Sequence, residues 1–294
     1  MTAHLNDTLR PKPGVRGGVL KSLRGNGVLF ICVTFLLVIV VFVLFGHQIA
    51  PNDPDAQNLA IGVTGRSGDA LFGTDSLGRD VFSRTIAGTR SAVLGPLVIA
   101  LGTALISVIL GVYAGYRGGI VDAVIMRGVD MAYATPPLLL AVVVVGLLGG
   151  GYFVAVAVLT VISVPYDIRV IRAVALEQRA LPYIEAAQTL GIPQRQIIVR
   201  HVSPNVLAFV VINSCLEFAF GLVTLAALSF LGLGVPPGTA DWGRMLDENR
   251  TILFENPSAV LAPGVLLVLT AAAVNLLGDV IGERLAAQTT ARGV

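Results

Sequence analysis

From Val28 to Phe45 the chain runs through 18 residues without a charge, nearly all of them apolar. Roughly 20 apolar residues cross a bilayer core about 30 Å thick. Five further stretches qualify or come close: Ala92–Tyr116, Met131–Gly149, Tyr152–Tyr166, Val206–Leu233 and Ser258–Gly282. In lipid only helices or a closed barrel satisfy the backbone. These runs are continuous rather than alternating, so they read as helices. The expected fold is all-α, a polytopic membrane protein with six transmembrane helices. The fourth run is the shortest and borrows Asp167–Val170 at its end. Only Gly150–Gly151 separates it from the third, which permits nothing but a tight turn between antiparallel helices. The first run is longer than the roughly 7–15 residues of a signal-peptide core, so it reads as an uncleaved anchor.

Composition agrees with this reading. Apolar residues make up 55% of the chain and charged residues 13%, with a mean hydropathy of +0.82. Soluble domains run at about 45–50% and about 25%. Neither lysine, Lys12 or Lys21, follows a glycine, which excludes a Walker A loop. Cys32 and Cys215 sit in apolar runs and are too few for a disulfide framework. His4, His47 and His201 fall on three separate segments, none at metal-ligand spacing. The chain is therefore expected to carry no catalytic residues, no metal and no cofactor of its own. Its basic residues flank membrane runs, so nucleic-acid binding is not indicated.

An even number of spans puts both termini on one side. Of the 20 lysines and arginines, 14 fall on that side and 6 on the other. The positive-inside rule then places both termini in the cytoplasm. The chain divides into a cytoplasmic tail (1–27), a first helix (28–45), an external segment (46–91), a membrane core (92–285) with a cytoplasmic loop (168–205), and a final tail (286–294). A second external segment, Gly234–Pro257, holds the only tryptophan, Trp242.

The cytoplasmic loop is punctuated as two short helices. Pro182 suits a first helical position, and Glu185 falls in the first turn, where the helix dipole favours an anion. Gly191 suits a left-handed cap, and Pro193 then prevents continuation and starts a second helix through Arg200. Tyr183, Ala186, Ala187 and Leu190 lie at i, i+3, i+4 and i+7 and make one apolar face. Two alanines at its centre leave room for close approach. Such a face either docks another protein or packs on its own bundle.

Glu217 lies near the middle of the fifth run, where a charge costs about 2.5–3.5 kcal/mol and so faces protein or a water-filled path. Asn213 is one turn earlier on the same face. The pair reads as a polar lining of a translocation path or as a structural hydrogen bond between spans. Asn275 and Asp279 form a similar pair in the last run and read as a helix-end or interface clamp rather than a second polar lining of the path. In the external segment, Asp75–Arg79 and Asp80–Arg84 are i, i+4 pairs on a helix lying on the membrane surface, where exposed pairs add only about 0.3–0.5 kcal/mol each.

Glu185-Ala186-Ala187, Gly191, His201 and Pro204-Asn205, in that order, resemble the EAA loop of permease subunits in binding-protein-dependent ABC importers. The form with histidine and Pro-Asn is similar to the peptide/nickel branch. Gly73-Thr-Asp-Ser-Leu-Gly-Arg-Asp-Val-Phe-Ser-Arg84 resembles the segment ahead of the second span in the C-type permease of that dipeptide/oligopeptide/nickel family. Leu228-Ser-Phe-Leu-Gly-Leu-Gly234 with Asp241-Trp-Gly-Arg-Met-Leu246, and Asn275-Leu-Leu-Gly-Asp279, resemble its fifth and last spans. The resemblance runs from about residue 25 to about 285.

What the resemblance implies is a type I ABC importer permease fold in a bacterial cytoplasmic membrane, passing di- or oligopeptides or related small solutes by alternating access. It further implies four kinds of partner: a homologous B-type permease, two ABC ATPase subunits (or one fused ATPase) that bind ATP and Mg, an extracytoplasmic substrate-binding protein, and lipid. By the same resemblance Tyr183, Glu185, Ala186, Ala187, Leu190, Gly191, His201, Pro204 and Asn205 couple the chain to the ATPases. The alternative is a self-contained secondary transporter or channel without ATPase partners, which calls for inverted repeats, broken helices or intramembrane ion pairs, and Glu217 is the only clear mid-membrane charge. No repeat stands out.

Overall fold

The structure is a computed structural model, and it describes residues 26–292. The expected tail therefore lies outside it up to residue 25, as do residues 293–294. The elements are α1 (Asn26–Ile49), α2 (Val81–Ala87), α3 (Thr89–Arg117), α4 (Gly119–Ala132), α5 (Pro137–Leu147), α6 (Tyr152–Arg179), α7 (Pro182–Thr189), α8 (Gln194–Ile197), α9 (Ser203–Phe230), α10 (Trp242–Asn249) and α11 (Ser258–Arg292). A π turn, Ile198–Val202, joins α8 to α9. Five helices, α1, α3, α6, α9 and α11, have the length and apolar character to cross a membrane.

The third expected span is not one helix. Within Met131–Gly149, α4 ends at Ala132 and α5 starts at Pro137, and the two helices meet at 81°. Pro136 and Pro137 cause the break. Neither has an N–H to continue α4, and a proline drives the residue before it out of the helical region. Counted as one span, the bent pair brings the candidate crossings from five to six. The glycines after α5 do turn the chain sharply. Gly149, Gly150 and Gly151 all have positive φ, and the Gly151 N–H donates to the Leu233 carbonyl at 3.0 Å.

Helices α3 and α6 form the axis of the bundle. Gly102, Gly111 and Gly115 line the α3 face that meets α6. A Cβ at Gly115 would stand 2.7 Å from the Arg172 carbonyl oxygen, and one at Gly111 3.0 Å from Ile171 Cγ2. Lipid supplies no hydrophobic drive between helices, so close approach and interhelical hydrogen bonds do that work. Two such bonds follow: Thr103 Oγ1 donates to the Thr160 carbonyl at 3.3 Å, and Ser107 Oγ to the Val164 carbonyl at 3.2 Å. Gly278 and Gly282 give α11 a similar approach to Cys215 and Ile212 on α9, so Cys215 is a packing residue. Asn275 and Asp279 make no bond to each other: Asp279 is exposed, and Asn275 Oδ1 has no partner among the described residues.

At the end of the bundle where α1 finishes and α3 begins, residues 50–88 and 234–257 fold into one cap. Here the surface-helix expectation fails. Asp75 and Arg79 sit on a tight loop closed by a Thr74–Asp80 bridge. They pair at 2.6 Å, but both are buried. Asp80 caps α2 through the Phe82 and Ser83 N–H groups and makes no pair with Arg84. Arg79 instead reaches Glu248 Oε2 at 2.8 Å, and Arg84 approaches the same oxygen at 3.6 Å. The Gly238 N–H and the Arg244 guanidinium complete the surroundings of Glu248. Trp242, fully buried, donates its indole N–H to the Thr85 carbonyl at 3.0 Å. The charges read as exposed pairs are the cap's interior. Glu248, which joins the Arg79–Asp75 pair, lies 169 residues from Arg79, beyond the reach of local spacing.

Burial by itself would raise the Glu248 carboxyl. The Gly238 N–H and the Arg79 and Arg84 guanidiniums outweigh it and hold the group below the ordinary glutamate range. Asp241, which caps α10 and meets no guanidinium there, is pushed up by burial.

Candidate functional site

The opposite end of the bundle carries the Pro182–Asn205 corner. Pro182 opens α7, Leu190 closes it, and Gly191 at φ +72° turns the chain towards Pro193, which caps α8. The second helix does not continue to Arg200 as α-helix; it passes through the π turn straight into α9. The second half of the corner is thus a continuous extension of that long helix.

Its faces divide differently from the periodic reading. Ile184 is fully buried and Ala187 is 6% exposed. With Ile197 they enter a cluster formed by Val112 and Tyr116 of α3, Ile171 and Ala175 of α6, and Val202, Val206 and Val210. So Ala187, expected on an exposed face, points into the bundle. The stripe Ile184–Ala187 was equally periodic, and its isoleucine, the larger aliphatic side chain, was the signal for the buried side. Tyr183 (41% exposed) and Leu190 (79% exposed) face outward, as do Glu185, Ala186 and Gly191.

Polar bonds fix this corner to the bundle. The Asn205 side-chain amide donates to the Tyr183 hydroxyl at 2.9 Å and to the His201 carbonyl at 3.0 Å. The Tyr183 hydroxyl donates to Gln178 Oε1 at 3.1 Å. From the inner side, Gln188 Nε2 donates to the Tyr116 hydroxyl at 3.2 Å, and the Arg179 guanidinium lies over the Tyr116 ring. Pro204 sits in the first turn of α9 and is exposed. The outer residues therefore form a stiff, shallow surface of mixed apolar and acidic character, backed by isoleucine, valine and tyrosine.

A second feature lies deeper in the bundle. A cavity of about 640 Å³ opens between the α4–α5 break, α6 and α9, lined by Tyr133, Tyr166, Phe220, Asn213, Glu217 and Thr224 among others. Asn213 and Glu217 share its wall, as their spacing implied. Asn213 Nδ2 donates to Asp167 Oδ1 at 2.8 Å. Asp167 was missed as a site residue. A carboxylate in the tail of a membrane run was its signal, and the Asn213 amide satisfies it.

No catalytic constellation accompanies either feature among the described residues. A rigid surface at one end of a helical bundle and a chamber within it suit a membrane component moved by another protein. Residues 107–290, more than half of the chain, match the family described as "Binding-protein-dependent transport system inner membrane component". This chain belongs to that family. The protein is a multi-pass inner membrane permease component, not itself an enzyme, and its transport system is of the ABC type. It is 34% identical over 255 residues to a glutathione transport system permease protein, GsiD, of Pectobacterium atrosepticum, covering 85% of this chain and 84% of that one. It is 30% identical over 288 residues to a probable D,D-dipeptide transport system permease protein, DdpC, of Escherichia coli K12, covering 97% of both. The fold is shared with the MetNI methionine ABC transporter in an inward-facing conformation, at a TM-score of 0.53 and 19% identity, over 69% of this chain and 96% of that chain.

Proposed function

We propose that this permease forms half of the membrane pathway of an importer for small peptides or peptide-like solutes such as glutathione, with its cap external and its corner and termini cytoplasmic. The two relatives' names support the solute class, and the distribution of lysine and arginine supports the orientation. An external binding protein delivers the solute at the cap. A homologous permease completes the pathway, and ATP and Mg are held by two ATPase subunits that seat the corner. Asn213 and Glu217 line the path.

One observation carries the coupling role: the corner is exposed on Tyr183, Glu185, Ala186, Leu190 and Gly191, yet anchored on its other side by Ile184, Ala187 and Ile197. A surface fastened to α3, α6 and α9 at once transmits a push on α7 to all three. The test is co-purification of the tagged chain in mild detergent. A second six-span protein and P-loop ATPases in stoichiometric amount are expected, and their ATPase activity should drive uptake of a labelled dipeptide or glutathione in vesicles. A homo-oligomer that transports without ATP would overturn this reading.

A further inference from the structure

The cavity beside Glu217 has an acceptor with nothing to accept from. Glu217 is 7% exposed, lines the cavity, and its Oε1 has no hydrogen-bond partner. The Asn213 amide serves Asp167 and the Ser163 hydroxyl lies beside the Glu217 carboxyl, which leaves Oε1 of Glu217 as the oxygen without a donor. No lysine, arginine or histidine lines the cavity among the described residues. The arginine beside the α4–α5 break, Arg169, is occupied: it pairs with Asp130 at 2.6 Å and lies over the Tyr133 ring at 4.3 Å. A second acceptor follows from covalent structure. Pro165 has no N–H, so the Val161 carbonyl one turn earlier lacks its helical donor, and both residues line the same cavity. Tyr133, Tyr166 and Phe220 supply aromatic rings to the wall. Carboxylate, free carbonyl and aromatic rings are all groups that attract a cation, and an ammonium carries three donors to fill such acceptors.

We propose that this cavity is a binding site for the ammonium group of the translocated solute, with Glu217 as its carboxylate. This deepens the permease reading above and rests on it. The cavity is far larger than an ammonium group, so the remainder of the solute lies against Leu140, Leu216 and the rings, whose apolar surface tolerates varied side chains. Selection at this point is by charge and not by shape.

The test needs neither ATP nor an identified solute, so its failure is distinct from failure of the importer reading. Phe220, one turn beyond Glu217, is replaced by cysteine in a Cys32→Ala, Cys215→Ala chain kept in membrane vesicles with its partners. The new thiol is reacted with trimethylammonioethyl and with sulfonatoethyl methanethiosulfonate, and the ratio of cationic to anionic rates is measured. Glu217→Gln should lower that ratio about tenfold through loss of one nearby charge in a medium of reduced dielectric. Glu217→Asp, which keeps the charge, should retain most of it. Glycinamide should slow the cationic reagent, whereas neutral N-acetylglycinamide, or potassium chloride at equal ionic strength, should not. A ratio unchanged by Glu217→Gln, equal protection by potassium, or a thiol that reacts with neither reagent would each overturn the site.

Discussion

The Asn205 amide and the Tyr183 hydroxyl meet at 2.9 Å across 22 positions of sequence, and that bond joins the first turn of α7 to the first turn of α9. It ties the outward surface of the corner to a helix that runs the depth of the bundle. Both partners are exposed, so the bond adds little stability; its effect is on orientation. Tyr183→Phe is expected to leave the assembled complex intact on native gels and to lower the uptake supported per ATP hydrolysed. Unchanged coupling in that variant would remove the bond from the transmission path.

The two alanines of the corner separate its inner and outer faces. Ala187→Leu pushes extra methylenes into the packed cluster around Ile184 and Tyr116, at a cost of about 1–3 kcal/mol. Thermal unfolding of the detergent-solubilised chain should fall accordingly. Ala186→Leu, on the exposed face, should leave unfolding unchanged and weaken co-purification of the ATPases. The reverse pattern would mean that α7 is rotated from the arrangement described.

The cap should loosen in acid. Glu248 titrates lower in the folded chain than in the unfolded one, so its contribution is fully present above the unfolded value of about 4.3. It is lost as pH falls through the lower, folded value. Protease protection of residues 50–88 should therefore decline below about pH 4. Glu248→Ala, which strands the buried Arg79 and Arg84 guanidiniums, should cost about 3–5 kcal/mol at neutral pH and abolish that acid step.

Gly115 on α3 and Gly128 on α4 should respond oppositely to alanine. At Gly115 a methyl meets the Arg172 carbonyl oxygen at 2.7 Å, a backbone atom that cannot swing away. Gly115→Ala should lower the unfolding temperature by prising α3 from α6. At Gly128, inside α4, nothing lies within 4 Å, and alanine should stabilise the helix by about 0.5–1 kcal/mol. Paired melting curves decide the matter.

Much of the bundle was legible because membrane crossing imposes length and apolarity on contiguous residues. The corner was legible for a different reason: Pro182, Gly191 and Pro193 act on the backbone locally, wherever the chain goes next. Pro136-Pro137 belonged to the same class of signal, but it lay inside a run whose apolarity alone suggested one straight helix. The environment of the charges was not legible. Asp75 to Arg84 has the spacing of surface ion pairs, and only the distant Glu248 shows that they are interior. Likewise the partner of Asn213 is Asp167, on another helix and outside any periodic pattern. Spacing identified Glu217 as a membrane carboxylate, but the absence of a bond to its Oε1 emerges only from packing.

The cap also imposes a schedule on synthesis. Arg79 and Arg84 leave the ribosome long before Glu248, and the helices α3 to α9 are made between them. Until α9 and α10 have been made, the two guanidiniums have Asp75 beside them but lack Glu248. The cap therefore closes late, since its two halves can join only when both have reached the same face of the membrane.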